Sequence, residues 1–256
     1  PINFGEKTIG NTMSSESLNS PIPPSTGENI TQKSLLIFDL DGTLIDSVPD
    51  LADAVNAMLT ALGKANFSED VIRNWVGNGG KVLVQRALSG SQTIDPNLTE
   101  DDTNQALALF FDYYHQNTCV RTQPYAGVGE GLRQLKEQGY TLAIATNKPI
   151  DFVPAIVEKL GWQALFAYIL GGDSLPVKKP DSMPILHVCD KLGFSIAQSY
   201  MIGDSKNDIL AGQNAGMDTL GLSYGYNYGQ DIRDYHPTQT FDDFATLTEF
   251  LSHARV

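Results

Sequence analysis

The sequence predicts an α/β fold: a doubly wound parallel sheet of the Rossmann-like type with an inserted α-helical cap domain. Short apolar runs recur along the chain, and helical patterns separate them. The runs are Leu35–Phe38, Thr141–Ala145, 168–170, 200–202 and 219–222. Strands that alternate with helices imply right-handed crossovers and therefore parallel strands. A long helical stretch after the first run predicts the cap.

The first apolar run, Leu35–Phe38, is typical of a strand buried on both faces of a parallel sheet. Its apolar side chains are contiguous, without the alternation of a strand that faces solvent on one side. Helical patterns at 152–160 and 185–192 follow later strands. We therefore assign residues 34–49 and 124–256 to an α/β core.

The helical insertion begins at Ser47, which has capping-box spacing to Asp50. Apolar side chains then recur at three- and four-residue steps to Leu62, and Gly63 ends the pattern. Further helical stretches cover residues 71–76, 82–88 and 107–114. These patterns predict an α-helical cap over residues 50–123.

Charge and hydropathy narrow the range of partners. The formal net charge of −13 offers no basic surface to nucleic acid, so nucleic acid is not an expected partner. No apolar run approaches the ~20 residues of a membrane span, so no membrane partner is expected. A chain this acidic repels anions at long range, so an anionic substrate would require a metal ion and a few placed cations.

The N-terminal region and the cysteines indicate the cellular location of the protein and the redox state of its thiols. Residues 1–33 are rich in small polar residues and Pro and predict a flexible extension, in which Met13 is an alternative start. They lack the pattern of a secretory signal, so the predicted location is cytoplasmic. Cys119 and Cys189 have no metal-ligand spacing and are expected to be reduced thiols. The sequence specifies no oligomeric state.

Two pairs of carboxylates follow predicted strands, at the edge where open α/β sheets bind ligands. Asp39 and Asp41 follow the first strand, and Gly42 permits a turn that directs both into one pocket. Asp204 ends a later strand, Asp208 lies one helical turn on, and Mg²⁺ prefers such oxygen ligands. The alternatives are an acidic turn for the first pair and helix capping for the second.

Two other strand ends add donors and positive charge. Thr146 and Asn147 supply a hydroxyl and an amide that can hold phosphoryl oxygens, although Thr146 could also form only a local turn. Lys178 and Lys179 precede Pro180, and a lysine held there would neutralise an anion, unless the pair is a solvated turn. All four patterns occur in chain order after core strands, which favours one phosphate site over four unrelated turns.

In these segments the chain resembles the haloacid dehalogenase superfamily. The matching positions are 39–43, Thr146, Lys179 and 203–208. The resemblance extends from Leu35 nearly to the C-terminus, and the helical insertion is similar to the superfamily's first cap type. It implies a Mg²⁺-dependent phosphatase that acts on a small phosphorylated metabolite through an aspartyl-phosphate intermediate.

The resemblance implies a role for each matching residue. Asp39 would attack phosphorus, while Asp41 would protonate the leaving oxygen and later deprotonate the hydrolytic water. Thr146 and Lys179 would hold and neutralise the phosphoryl group. One departure follows Lys179: related phosphatases usually continue Pro-His-Pro, whereas Asp181 stands here at the position of His.

The implied metal ligands distinguish the alternatives within this fold. Mg²⁺ would be bound by Asp39, the backbone carbonyl of Asp41, and Asp204, with Asp208 supporting. A dehalogenase would need neither Asp41 nor Asp204. A sugar phosphomutase shares all four motifs and remains the enzymatic alternative. A non-catalytic phosphate-binding regulatory module would not need Asp41 together with Lys179.

Two further segments indicate the substrate. Residues 76–79 and 219–229 resemble those of the bacterial phosphoglycolate phosphatase family, which implies 2-phosphoglycolate as the substrate. Gly79 and Lys81 open a predicted helix of the cap, where backbone amides and a cation would bind a carboxylate. The alternative is an ordinary glycine loop with a solvated lysine.

Overall fold

A computed structural model describes residues 32–254, in which a six-stranded sheet forms the core. The strands are β1 (Leu35–Phe38), β2 (Ile45–Asp46), β3 (Gln123–Pro124), β4 (Thr141–Ala145), β5 (Phe166–Leu170), β6 (Ser199–Gly203), β7 (Asp218–Leu222) and β8 (Gln239–Phe241). The α-helices are α1 (Val48–Ala61), α2 (Glu69–Arg73), α3 (Gly80–Ser89), α4 (Glu100–Gln116), α5 (Val128–Glu137), α6 (Val153–Lys159), α7 (Met183–Leu192), α8 (Lys206–Ala215) and α9 (Phe244–His253).

The sheet has the order β5-β4-β1-β6-β7-β8, and its pairings are parallel. β1 lies at the centre, where Leu35 is opposite Thr141 of β4 and Ser199 of β6. The predicted doubly wound parallel sheet is confirmed. β8 was not predicted, because Phe241 is the one apolar residue among its three.

Both faces of β1 are buried, which explains its contiguous apolar sequence. Leu36 and Phe38 pack with α5, α6 and α9, whereas Leu35 and Ile37 pack with α7 and α8. All four side chains are fully buried. The central strand therefore tolerates no polar residue until it ends at Asp39.

Helices α1 to α4 form the insertion, with an apolar core of their own. Its buried residues include Val55, Trp75, Val84, Phe110 and Tyr114. The chain leaves and returns through β2 and β3, which pair antiparallel with Ile45 opposite Pro124 and Asp46 opposite Gln123. The two linkers of the cap are thus held side by side.

The predicted capping box at the start of α1 is wrong, although the helix does begin after Ser47. Ser47 forms no side-chain cap bond, and its hydroxyl donates to Asp41 Oδ1 at 2.6 Å. Asp50 instead accepts from the returning linker: from Arg121 N at 2.7 Å, Thr122 N at 2.9 Å and Thr122 Oγ1 at 2.6 Å. The Asp50 carboxylate therefore links α1 to the returning linker at the base of the cap and is not available to cap the helix.

Asp50→Ala is expected to lower the free energy of unfolding by about 2–4 kcal/mol, because it leaves buried N–H groups without an acceptor. Asp50 is only 2% exposed. Asp53→Ala, one turn away, is the matched control, since it removes only a solvent-screened ion pair with Arg121. Urea unfolding of both variants measures the difference. Equal destabilisation would contradict a special role for the buried carboxylate.

Other sequence predictions have different outcomes. Most of the predicted extension, with Met13, lies outside the described residues, and Lys33 at its end pairs with Asp218 at 2.6 Å. Cys119 and Cys189 are free, buried thiols, as expected. Across residues 32–254, no helix is both long and apolar enough to cross a bilayer. The cytoplasmic location stays a prediction.

Candidate active site

The ends of the central strands meet at one edge of the sheet, because the strands are parallel. Asp39 follows β1, Thr146 follows β4 and Asp204 follows β6. Lys179 comes from the loop between β5 and α7. The structure therefore brings together side chains from the four segments that the sequence analysis selected.

Three carboxylates form a buried acidic cluster at this edge. Asp39, Asp204 and Asp208 each place an oxygen within 4.8 Å of the others. Burial raises the pKa of Asp39 to about 7, with Lys179 opposing the rise and Asp208 adding to it. Burial and the repulsion of Asp208 and Asp39 also raise the pKa of Asp204 well above its usual range. This much buried negative charge is the environment that a cation would stabilise.

Asp204 is held in place by the first loop and by a tyrosine backbone. Thr43 Oγ1 donates to Asp204 Oδ1 at 2.6 Å, and Tyr226 N donates to Oδ2 at 2.5 Å. Gly42 has φ +90°, and a Cβ there would collide with the Asp204 carboxylate. A glycine is therefore required where the first motif turns against Asp204.

Lys179 is almost fully buried between two carboxylates. Its Nζ lies 2.7 Å from Asp208 Oδ1 and 3.1 Å from Asp39 Oδ1. Burial lowers the pKa of Lys179, but these two neighbours raise it by more, so the side chain stays cationic. Asp208 Oδ2 also accepts from Ser205 N at the start of α8, so it caps the helix and pairs with Lys179. Helix capping by Asp208 is therefore confirmed, and its support of a metal ion stays a prediction.

Lys179→Ala is expected to cost about 3 kcal/mol or more of transition-state stabilisation, as for loss of another electrostatic donor in a closed site. Lys178→Ala is the control, since the Lys178 ammonium donates to the Asn78 carbonyl in the cap and does not reach the acidic cluster. kcat/KM is measured for both variants, with thermal unfolding to check their folding. A larger loss in the Lys178 variant would show that the phosphate-binding lysine is misassigned.

Asp41 is paired with a lysine that the sequence analysis did not select. Lys148 Nζ lies 3.1 Å and 3.2 Å from the two Asp41 carboxylate oxygens. Lys148 is buried, and its ammonium lies 4.9 Å from the ring centroid of Tyr114 on α4. The sequence feature that could have identified Lys148 was its position directly after Asn147 at a strand end. By contrast, the sequence pattern around Tyr114 indicates only that it lies on the apolar face of a helix.

Thr146 and Asn147 differ in whether their side chains can still donate a hydrogen bond to a ligand. Thr146 Oγ1 accepts from Lys148 N at 3.1 Å, so the predicted local turn does form, and the hydroxyl proton remains able to donate. Asn147 Nδ2 donates to Gly77 O and to Lys179 O, each at 3.0 Å. Asn147 therefore connects the cap loop to the lysine loop, and its amide protons are already engaged.

A cleft lies between the acidic edge and the cap. Asp39, Asp41 and Thr146 line its core side, and Gly79 lines its cap side. Lys81 does not line it, because its ammonium pairs with Glu100 at 2.6 Å and the side chain is about half exposed. Of the two cap candidates, the structure places only Gly79 at the cleft.

This arrangement, an aspartate pair at the central strand tip beside a buried lysine and a second acidic pair, is that of haloacid dehalogenase-type hydrolases. The family model described as haloacid dehalogenase-like hydrolase matches residues 36–222. The chain therefore belongs to this family, and the sequence resemblance is confirmed.

Similar proteins narrow the class further. A phosphoglycolate phosphatase of Psychrobacter arcticus is 59% identical over 87% of this chain and 97% of its own length. One of Colwellia psychrerythraea is 50% identical over 85% and 96%. The crystal structure of a predicted phosphoglycolate phosphatase from Haemophilus somnus has a TM-score of 0.79 at 41% identity, covering 86% and 99%. The chain is thus a phosphoric monoester hydrolase that resembles phosphoglycolate phosphatase.

Proposed function

We propose that this chain is a Mg²⁺-dependent phosphatase that converts 2-phosphoglycolate to glycolate and phosphate through an aspartyl phosphate on Asp39. The observation that carries the proposal is that Asp39 and Asp41 line one cleft, with Lys179 against Asp39. The names of its relatives in Psychrobacter arcticus and Colwellia psychrerythraea support the choice of substrate.

The donor set at the acidic edge fits a divalent cation. Asp39 Oδ1 is buried, and Lys179 Nζ at 3.1 Å is the cation paired with it among the described residues, without the geometry of a hydrogen bond. The three carboxylates of the acidic cluster face one buried cation, Lys179, so two negative charges lack a partner, which one divalent cation would balance. Oxygen donors of this kind suit Mg²⁺.

Asp39, the backbone carbonyl of Asp41, and Asp204 would hold the ion, with Asp208 supporting. When bound, Mg²⁺ would supply positive charge that stabilises the phosphoryl oxygens during transfer. The protein's own contribution is to keep these oxygens in place, and the bonds from Thr43 and Tyr226 to Asp204 do this.

In the first half-reaction, an Asp39 oxygen forms a bond to phosphorus and the bond from phosphorus to the ester oxygen breaks. Asp41 donates a proton to that leaving oxygen, so glycolate departs as an alcohol. Lys179 and the Thr146 hydroxyl hold the phosphoryl oxygens, on which charge accumulates.

In the second half-reaction, water attacks the phosphorus of the aspartyl phosphate. Asp41, now a carboxylate, accepts a proton from that water, and the bond between phosphorus and the Asp39 oxygen breaks. Inorganic phosphate leaves and Asp39 returns to its starting form. The same residue thus serves as acid and then as base.

Phosphate release from a panel of esters tests the proposal. With Mg²⁺ present, 2-phosphoglycolate is expected to exceed hexose phosphates by tenfold or more in kcat/KM, a difference of about 1.4 kcal/mol in transition-state binding. A tenfold preference for a hexose phosphate would overturn the substrate. Phosphoryl transfer between sugars without phosphate release would indicate a phosphomutase. Binding of phosphate without turnover would indicate a regulatory module.

A further inference from the structure

Two polar side chains at the cleft have no direct role in the proposed phosphoryl transfer, although one of them pairs with Asp41. They are Lys148, 5% exposed, and Tyr114, 1% exposed. Both line the cleft that also contains Asp39. The Tyr114 hydroxyl is buried and donates its proton to no residue within 32–254. A buried hydroxyl without an acceptor is costly and calls for an explanation.

Both groups act as donors at neutral pH. Burial raises the pKa of Tyr114 to about 12, so the phenol keeps its proton. Lys148 forms an ion pair with the Asp41 carboxylate at 3.1 Å, so its ammonium is the cationic donor. One neutral and one cationic donor, both buried side by side at the cleft, match an anionic oxygen group.

Their position corresponds to the part of the substrate beyond the ester oxygen. Asp41 marks where the leaving oxygen lies, since it must reach that atom to protonate it. Lys148 Nζ is 3.1 Å from the Asp41 carboxylate. An anionic group on the carbon next to the ester oxygen therefore falls within reach of Lys148 and of Tyr114 above it. In 2-phosphoglycolate, that carbon carries the carboxylate.

The wall around this pair, from the cap and from Phe152 of the core, is apolar, which argues against a sugar. Leu51, Leu83, Phe110 and Phe152 line the same cleft. The rings of Phe110 and Phe152 lie 5.8 Å and 4.8 Å from that of Tyr114. Sugar hydroxyls placed against these side chains would lose their hydrogen bonds to water without replacement. A short substrate with a single terminal anion avoids that cost.

We infer that Lys148 and Tyr114 form a subsite for the carboxylate of the substrate, and that this subsite selects phosphate esters of small hydroxy acids. The inference deepens the proposed function and rests on it. Lys148 comes from the core and Tyr114 from the cap, so both domains are needed to recognise the carboxylate.

The test compares 2-phosphoglycolate with ethyl phosphate, which replaces the carboxylate by a methyl group. The readout is the ratio of the two kcat/KM values, because Lys148 also touches Asp41 and its variants can slow both esters. Lys148→Met is expected to lower the ratio about 100-fold and Tyr114→Phe about tenfold, as for loss of bonds to a charged group. Tyr113→Phe on the same helix is the matched control and should keep the wild-type ratio.

A second readout needs no turnover. In an Asp39→Asn background, calorimetry gives Kd for both esters, and Tyr114→Phe should weaken binding of 2-phosphoglycolate but not of ethyl phosphate. Unchanged ratios of both kcat/KM and Kd in the two variants would overturn the subsite. If the wild-type protein hydrolyses neither ester, the proposed function fails, and the Kd ratio still decides whether the carboxylate is bound here.

Discussion

Asp39→Asn is expected to abolish turnover and to yield no phosphorylated protein after rapid quench with 2-phosphoglycolate. The amide removes the nucleophilic oxygen while keeping the size of a side chain that is packed against Lys179. Without that oxygen no covalent intermediate can form. Mass spectrometry of quenched samples and a phosphate-release assay measure the two outcomes. Normal turnover in this variant would remove Asp39 from the role of nucleophile.

Asp41→Asn is the matched comparison, because it removes the same charge two residues away. Proton transfer by a placed acid or base typically contributes about 10² to 10⁴-fold, so traces of turnover should remain. Both half-reactions should slow, the first through poorer leaving-group protonation and the second because water lacks its base. A phosphoryl adduct on Asp41 itself would reverse the two assignments.

Removal of divalent cations is expected to abolish turnover, and Mg²⁺ is expected to restore it. Asp39, Asp204 and Asp208 converge without enough positive charge to balance them. The phosphate ester adds further negative charge at the same place. Turnover is measured in excess EDTA and again after Mg²⁺ is added beyond the chelator. Full activity in EDTA would exclude the metal from the mechanism.

The same cluster predicts how metal binding affects stability as the pH changes. The pKa of Asp39 rises from 3.8 to about 7 on folding, so the native state holds a proton that the unfolded state has lost between those values. The contribution of Asp39 to the stability of the metal-free protein therefore falls as the pH rises through that window. Because Mg²⁺ competes with the proton, it should raise Tm more at pH 8 than at pH 5. An equal shift at both pH values would contradict this linkage.

The sheet was predictable because burial on both faces leaves a direct mark on the sequence. The four contiguous apolar residues of β1 and the four that follow Thr141 in β4 lie within the observed strands. β8 left no such mark, since two of its three residues are polar. Ser47 and Asp50 have the spacing of a capping box, but Ser47 bonds to Asp41 and Asp50 accepts from Thr122 instead. Local spacing alone does not exclude such distant partners.

The site was predictable where each residue lies directly after a strand. Asp39, Thr146 and Asp204 satisfy that rule, and the sheet topology alone brings them together. Tyr226 contacts Asp204 through its backbone amide, 22 residues along the chain, and no side-chain type signals such a bond. Lys81 was selected for its charge beside a glycine loop, but its nearer partner, Glu100, belongs to the cap itself. Competing partners of this kind become visible only in three dimensions.

The position of β1 at the centre of the sheet has a consequence for synthesis on the ribosome. β1 emerges before both of its neighbours, β4 and β6. Its backbone edges therefore have no strand to pair with until these neighbours are synthesised. Thr43 and Asp204, which bond to each other, are separated by 161 residues, and that length takes roughly 10 to 30 s to translate at about 5–20 residues per second. Until β6 emerges, at least one edge of β1 lacks its partner, so nascent chains stalled before β6 should bind holdase chaperones more strongly than the complete chain.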